Sequence, residues 1–393
     1  MKGSIQTTGL LLCFAAISGC SNSSKTLETE PEPPAATTSE TAILIDDRGL
    51  VTISFDGAIA ETIEPAVRFA GKLWPSPDRR HTALTVHKGE SAYLALVGSD
   101  GSYLDLHHLP EGAIYSVAWA STSDSLLIGF TSSDRNGIAV HTVGPDTLVD
   151  VGCSASSQAL SWGREDWFVV GDETNHFVVE RSGCGTIESV DARKLHEVKF
   201  GPHGDRVAYI LRELEYDSKS REYRPDSSLY VANAVGTDPV MVAGDRYRPH
   251  RPVWSPDAMS LAFDARLPKE PDRRLVSIYD VEAGMSAFLN PGAVDSKSSE
   301  WAPHWSPSGD AIAYLHSSKG EAPRVSVRVL SNSFSTTVGD PGEGFAGWLD
   351  NGRVILQGAG VTRIVGTDGK ESLAFDGAAS VITLGGKADR GSD

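Results

Sequence analysis

Apolar and polar residues alternate in short runs along most of the chain, and no segment carries a long helical period. Alternation of period two puts the apolar side chains on one face of a strand. One segment type recurs. An apolar run ends in Trp, a turn rich in Ser, Pro, Asp and Gly follows, and a second alternating run begins. Its copies are anchored at Trp74, Trp119, Trp162, Phe200, Trp254, Trp305 and Trp348, about 46 residues apart on average. Six of the eight tryptophans hold this single position, which makes the period a property of the fold rather than of composition. The turn residues have separate physical roles. Pro presets φ, Asp bonds to nearby backbone, and Gly supplies a positive φ. The Trp ring is large enough to fill the gap between neighbouring sheets.

A second signal interleaves with the first. Pairs of alternating runs flank a Gly/Asp/Asn turn, as in YLALVGSDGSYLDL and VSIYDVEAGMSAFL, and each pair predicts a hairpin. Each unit therefore predicts four antiparallel strands. Repeated at this period, they predict an all-β propeller built of four-stranded antiparallel blades. Trp-anchored pairs number seven and hairpins eight, because 42–54 supplies an extra one. The tail Ser380-Val381-Ile382-Thr383-Leu384 reads as one more inner strand. These pieces predict eight blades, with the N-terminal hairpin and the tail sharing the last; seven blades with an irregular extra pair is the other count they allow. The propeller body spans 42–384 and a disordered tail 385–393.

Trp254-Ser255-Pro256-Asp257 and its variant Trp305-Ser306-Pro307-Ser308-Gly309-Asp310 resemble the WSPDG repeat of TolB-type propellers, a WD40-like unit also found in the propeller domains of dipeptidyl-peptidase-like proteins. The resemblance covers nearly all of 42–384. It implies the fold and is weak for function. The chain carries a lipid-anchor signal and no α/β segment before the repeats, so the Tol–Pal role of TolB is not carried over.

Residues 1–19 read as a signal peptide, with Lys2 as a short basic start and Gly9 to Ile17 as an apolar stretch too short to span a bilayer. Ile17-Ser18-Gly19-Cys20 resembles the lipobox of bacterial lipoproteins. That implies cleavage before Cys20 and acyl chains on its sulfur, and two or more chains anchor stably. Ser21, where an Asp would signal inner-membrane retention, implies an outer-membrane lipoprotein facing the periplasm or the cell surface. The membrane is then engaged through the lipid anchor only. The Ser/Thr/Pro/Glu-rich remainder of 20–41 predicts a disordered tether with a reach of roughly 25 Å. Cys153 and Cys184 would mature in a compartment that permits disulfides. Their assigned places at opposite ends of strands, ~17 Å apart, oppose a bond.

The chain has 35 Lys and Arg against 52 Asp and Glu, a net charge of −17. A nucleic-acid partner, which calls for a basic footprint, is excluded as the general function. G-x-S-x-G, H-E-x-x-H, paired C-x-x-C and EF-type loops are absent. Gly342-Glu343-Gly344-Phe345-Ala346-Gly347 matches G-x-G-x-x-G, but Trp348 and a turn follow where a dinucleotide site needs a helix. The Asp residues after the anchors (Asp78, Asp124, Asp166, Asp205, Asp257, Asp310) are explained by turn formation. His107 and His108 are strand neighbours that point to opposite faces. No catalytic residue, metal site or cofactor is expected.

One region departs from the acidic average. A long loop is expected from Arg212 to Ser227, the connection Gly244–Pro252 is rich in Arg, and Arg266, Lys269, Arg273 and Arg274 are expected between the second and third strands of the next unit. In a propeller these connections open on one face. Arg246, Tyr247, Arg248, His250, Arg251, Arg273 and Arg274 are therefore the candidate partner-binding residues, since Arg forks suit carboxylates and phosphates. The expected partner is an envelope protein with an acidic surface, or an anionic saccharide. The first reading is a non-enzymatic interaction scaffold. Its alternative is a polysaccharide lyase or hydrolase, or an anionic-ligand binder, using the propeller mouth.

Overall fold

The computed structural model describes residues 41–382, less several short connections between strands, the longest being 151–157. The leader, Cys20, the tether, Cys153, Cys184 and the tail beyond Ile382 lie outside the described residues. Within them the chain forms eight four-stranded sheets, every neighbouring pair antiparallel, and no α-helix. Seven sheets are meanders of consecutive strands. They occupy 68–108, 113–150, 158–188, 195–243, 250–288, 299–337 and 344–376, and are called the first to seventh sheets. Each begins with the Trp- or Phe-anchored strand.

The closing sheet joins the two chain ends. Ser380–Ile382 pairs with Thr41–Asp46, which pairs with Gly49–Ser54 and then Ile59–Glu64. Val381 lies opposite Leu44. The strand Ile59–Glu64 is absent from the sequence reading, which took 42–54 as the whole N-terminal contribution. Its AETIE segment has little apolar content to signal a strand.

The anchor positions repeat one structure. Trp119 Nε1 donates to the Trp74 carbonyl at 2.7 Å, Trp254 to Lys199 at 2.9 Å, Trp305 to Val253 at 3.1 Å and Trp348 to His304 at 3.2 Å. Each indole thus reaches back to the inner strand of the preceding sheet. Apolar clusters fill the same gaps. Leu229, Val231, Leu261 and Phe263 pack between the fourth and fifth sheets, and Val325, Val327, Trp348 and Val354 between the sixth and seventh. The turn chemistry repeats as well. Asp257 Oδ1 accepts from Ser255 Oγ at 2.6 Å and from the Met259 amide at 3.0 Å, and Asp78 takes the same bonds from Ser76 and Arg80. The post-anchor Asp residues described here serve their own turns, as turn formation requires.

Two expected loops are instead strand. Arg206–Asp217 and Glu222–Asn233 form one long hairpin, with Arg212 opposite Ser227 and Glu215 opposite Arg224. Ser260–Leu267 and Glu270–Asp280 likewise carry Arg266 opposite Arg274, leaving only Pro268 and Lys269 outside strands. The charged residues hid the alternation by which a strand is read from sequence.

Candidate functional site

Every Trp- or Phe-anchored strand contains a register shift. In the fifth sheet it lies between His250 and Val253, and in the sixth between Trp301 and His304. A bulge redirects side chains and frees backbone groups. At these two bulges Arg251 takes φ 52° and Ala302 φ 54°. A non-glycine residue in the left-handed region is strained, and such strain persists where surrounding contacts enforce it. Arg251 has such a contact, since its amide donates to Glu197 Oε2 at 2.9 Å.

These bulges sit at one end of the channel. His250 opens its strand and pairs with Asp264, while Trp254 closes it beside the Ser-Pro turns. At the turn end, a cavity of about 540 Å³ is lined together by Pro75, Pro202, Pro256, Pro307, Phe345 and Trp348, residues of the first, fourth, fifth, sixth and seventh sheets. Sheets so far apart in sequence can share one cavity only around a common axis.

At the opposite end the arginines gather. Arg212, Arg248, Arg251, Arg266 and Arg274 lie in electrostatic reach of Glu197, Asp264 and Asp272. Asp264 is fully buried; its Oδ2 stands 3.5 Å from Arg274 Nη1, and its Oδ1 has no hydrogen-bond partner. Burial pushes its carboxyl up to about 6, against the pull of Arg251 and Arg274. Burial also raises Glu197, opposed first by the Arg251 amide. Desolvation lowers Arg266, and Arg274 and Arg248 lower it further; its Nε is buried without a partner. Arg212 falls for the same first reason, and its Nη2 lies 3.3 Å from His250 Nδ1. The side chain of His304 is exposed, lines the turn-end cavity beside Phe345, and is crowded by protein. That crowding and the Arg251 charge lower its pKa, and the ring stacks on Phe345 at 4.7 Å.

The candidates from sequence divide. Arg248, His250, Arg251 and Arg274 meet in this cluster. Arg246 instead lies exposed over the Tyr247 ring at 5.7 Å, and Tyr247 packs on the core between the fourth and fifth sheets. Arg273 is used up by structure, donating to the Ser298, Ala293 and Val294 carbonyls and to both oxygens of Glu270. Glu197, Asp264 and His304 were not singled out by sequence. A lone Asp inside the buried run Leu261-Ala262-Phe263-Asp264-Ala265 is the one signal that could have marked the site.

The motif Gly342–Gly347 leads into a strand, with Glu343 buried and paired to Arg363 at 3.0 Å. It forms a connection between sheets and no nucleotide cradle. Among the described residues no cluster of three or more His, Cys, Asp or Glu could hold a metal ion, and no helix is long and apolar enough to cross a membrane.

No protein-family model matches the sequence, and no curated protein matches it. Solved structures do resemble the fold. A eukaryotic initiation factor is 11% identical with TM-score 0.54 over 89% of this chain and 99% of its own. A puromycin-hydrolyzing peptidase from Mycobacterium tuberculosis is 13% identical with TM-score 0.51 over 78% of this chain and 52% of its own. TolB from Acinetobacter baumannii is 12% identical with TM-score 0.44 over 78% of this chain, which spans 64% of that TolB's length. At such identities likeness shows the fold alone. The four-stranded antiparallel sheets, five of which line one cavity and the last of which joins the chain ends, make this chain a β-propeller.

Proposed function

We propose that the protein is a lipid-anchored, eight-bladed propeller of the bacterial envelope that presents its arginine mouth to an acidic partner protein. The observation that carries this reading is the excess of guanidinium charge. Besides desolvation, Arg274 and Arg248 hold Arg266 below its usual value, and Arg266 does the same to Arg212, so these guanidinium groups crowd one another. A partly desolvated cationic mouth attracts carboxylates, and Arg forks fix their orientation. The strained Arg251 backbone supports it too, since strain of this kind gathers at ligand sites.

The anchor rests on Cys20 and its lipobox-like context. Metabolic labelling with palmitate should mark the wild type and leave Cys20→Ser unlabelled; an unlabelled wild type refutes the anchor. The mouth is tested by affinity capture from solubilised envelopes with the wild type and with Arg248→Ala/Arg251→Ala. The double variant should lose partners that the wild type retains. Identical captured sets refute the mouth as the binding surface.

A second reading takes an anionic saccharide as ligand or substrate. His250, whose Nδ1 lies 3.3 Å from Arg212 Nη2, is an acid–base group beside guanidinium groups able to hold a uronate. Turnover of a polyuronate that His250→Ala abolishes would favour it over the scaffold.

A further inference from the structure

A cleft of about 610 Å³ opens between the sixth sheet and the connection that leads into it, and shares no residue with the arginine cluster. The apolar packing of Ala262, Val276, Leu289 and Ile312 gives way there to polar groups. Asn290 organises them. Its Nδ2 donates to Glu300 Oε1 at 2.8 Å and to the Tyr314 hydroxyl at 2.9 Å. Its Oδ1 accepts from Arg328 Nη1 and from Ser335 Oγ, each at 3.0 Å. Glu300 is only 3% exposed, and its Oε2 has no hydrogen-bond partner. Native proteins rarely leave a buried carboxyl oxygen unmatched, so this atom calls for a ligand. Burial pushes Glu300 up to about 7 and Tyr314 up to about 12, so near neutral pH the phenol keeps its proton and the carboxyl exchanges one. Phe334, also on the cleft wall, is 81% exposed.

We infer that this cleft binds a neutral saccharide, with a sugar ring face against Phe334 and sugar hydroxyls toward Glu300 and Tyr314, the two groups that Asn290 holds in place. Sugar hydroxyls both donate and accept, which suits a wall of neutral groups that do the same. The apolar face of a pyranose suits an exposed aromatic ring. The volume falls within the ~300–1,000 Å³ of small-molecule sites.

Saturation-transfer NMR and calorimetry with cellobiose and N,N′-diacetylchitobiose as neutral probes, and digalacturonate as a charged one, test this. At least one neutral disaccharide should bind. Phe334→Ala, which alters an exposed side chain and leaves the core intact, should weaken that binding by about tenfold or more, equivalent to 1.4 kcal/mol. Arg248→Ala/Arg251→Ala should leave it unchanged. Binding of digalacturonate alone, no binding by either neutral probe, or Phe334→Ala binding as tightly as wild type would overturn the inference. A loss caused instead by the arginine variant would move the sugar to the mouth and overturn it equally, while leaving the reading of the mouth itself standing.

Discussion

Ala258 takes φ 57° at a turn position where Gly204 and Gly309 take 66° and 77°. All three close the same turn, their amides donating to the carbonyl three residues back at 2.9 to 3.0 Å. For alanine this conformation costs about 1–2 kcal/mol, and glycine loses part of that gain through its freer unfolded chain. The Ala258 methyl is buried, and losing it forfeits about 0.8 kcal/mol, so Ala258→Gly should leave stability within about 0.5 kcal/mol of wild type, read as a nearly unchanged urea midpoint. The buried carboxylates give a prediction of the other kind. Asp264 near 6 and Glu300 near 7 both titrate above their unfolded values. Each then binds its proton more tightly folded than unfolded, so the stability it confers is complete below the unfolded pKa and is lost as pH rises through the folded one. Thermal melts should show the wild type losing on the order of 1–3 kcal/mol from about pH 5 to about pH 8 relative to Asp264→Asn/Glu300→Gln. Parallel pH profiles for the two proteins would contradict it.

At the scale of elements, the indole latches tie each sheet to the one before it. Trp305→Phe keeps the ring's bulk and removes the bond to Val253, and should cost about 1 kcal/mol with the fold retained. The fourth sheet already carries Phe200 at this position, buried at 8% exposure, which shows the site accepts a ring without the donor. The anchor strands were legible because Trp, Pro, Asp and Gly each act locally and repeat at a fixed spacing. The hairpin 206–233 was not, because the charged residues from Arg212 to Arg224 interrupt the apolar alternation that marks a strand. Strand Ile59–Glu64 escaped for the same reason.

At the scale of the molecule, closure depends on a three-residue strand, Ser380–Ile382, pairing with Thr41–Asp46. Truncation before Ser380 exposes the edge of Thr41–Asp46, an open template for aggregation. The truncated protein should unfold at lower denaturant and self-associate by light scattering, out of proportion to the few residues removed. The ring was foreseeable from the period, and the location of an arginine-rich mouth from the run Arg246–Arg251. Its composition was not, since Glu197 and Asp264 reach it from two different sheets, and the bulge at Arg251 turns its amide onto Glu197. The account turns on that mouth being a receptor for acidic groups. Fluorescence anisotropy of a labelled oligoglutamate peptide measures this directly. The account predicts binding by the wild type that weakens with added salt and falls about tenfold or more in Arg248→Ala/Arg251→Ala. Equal affinity in the two proteins, or no binding by the wild type at low salt, would contradict it.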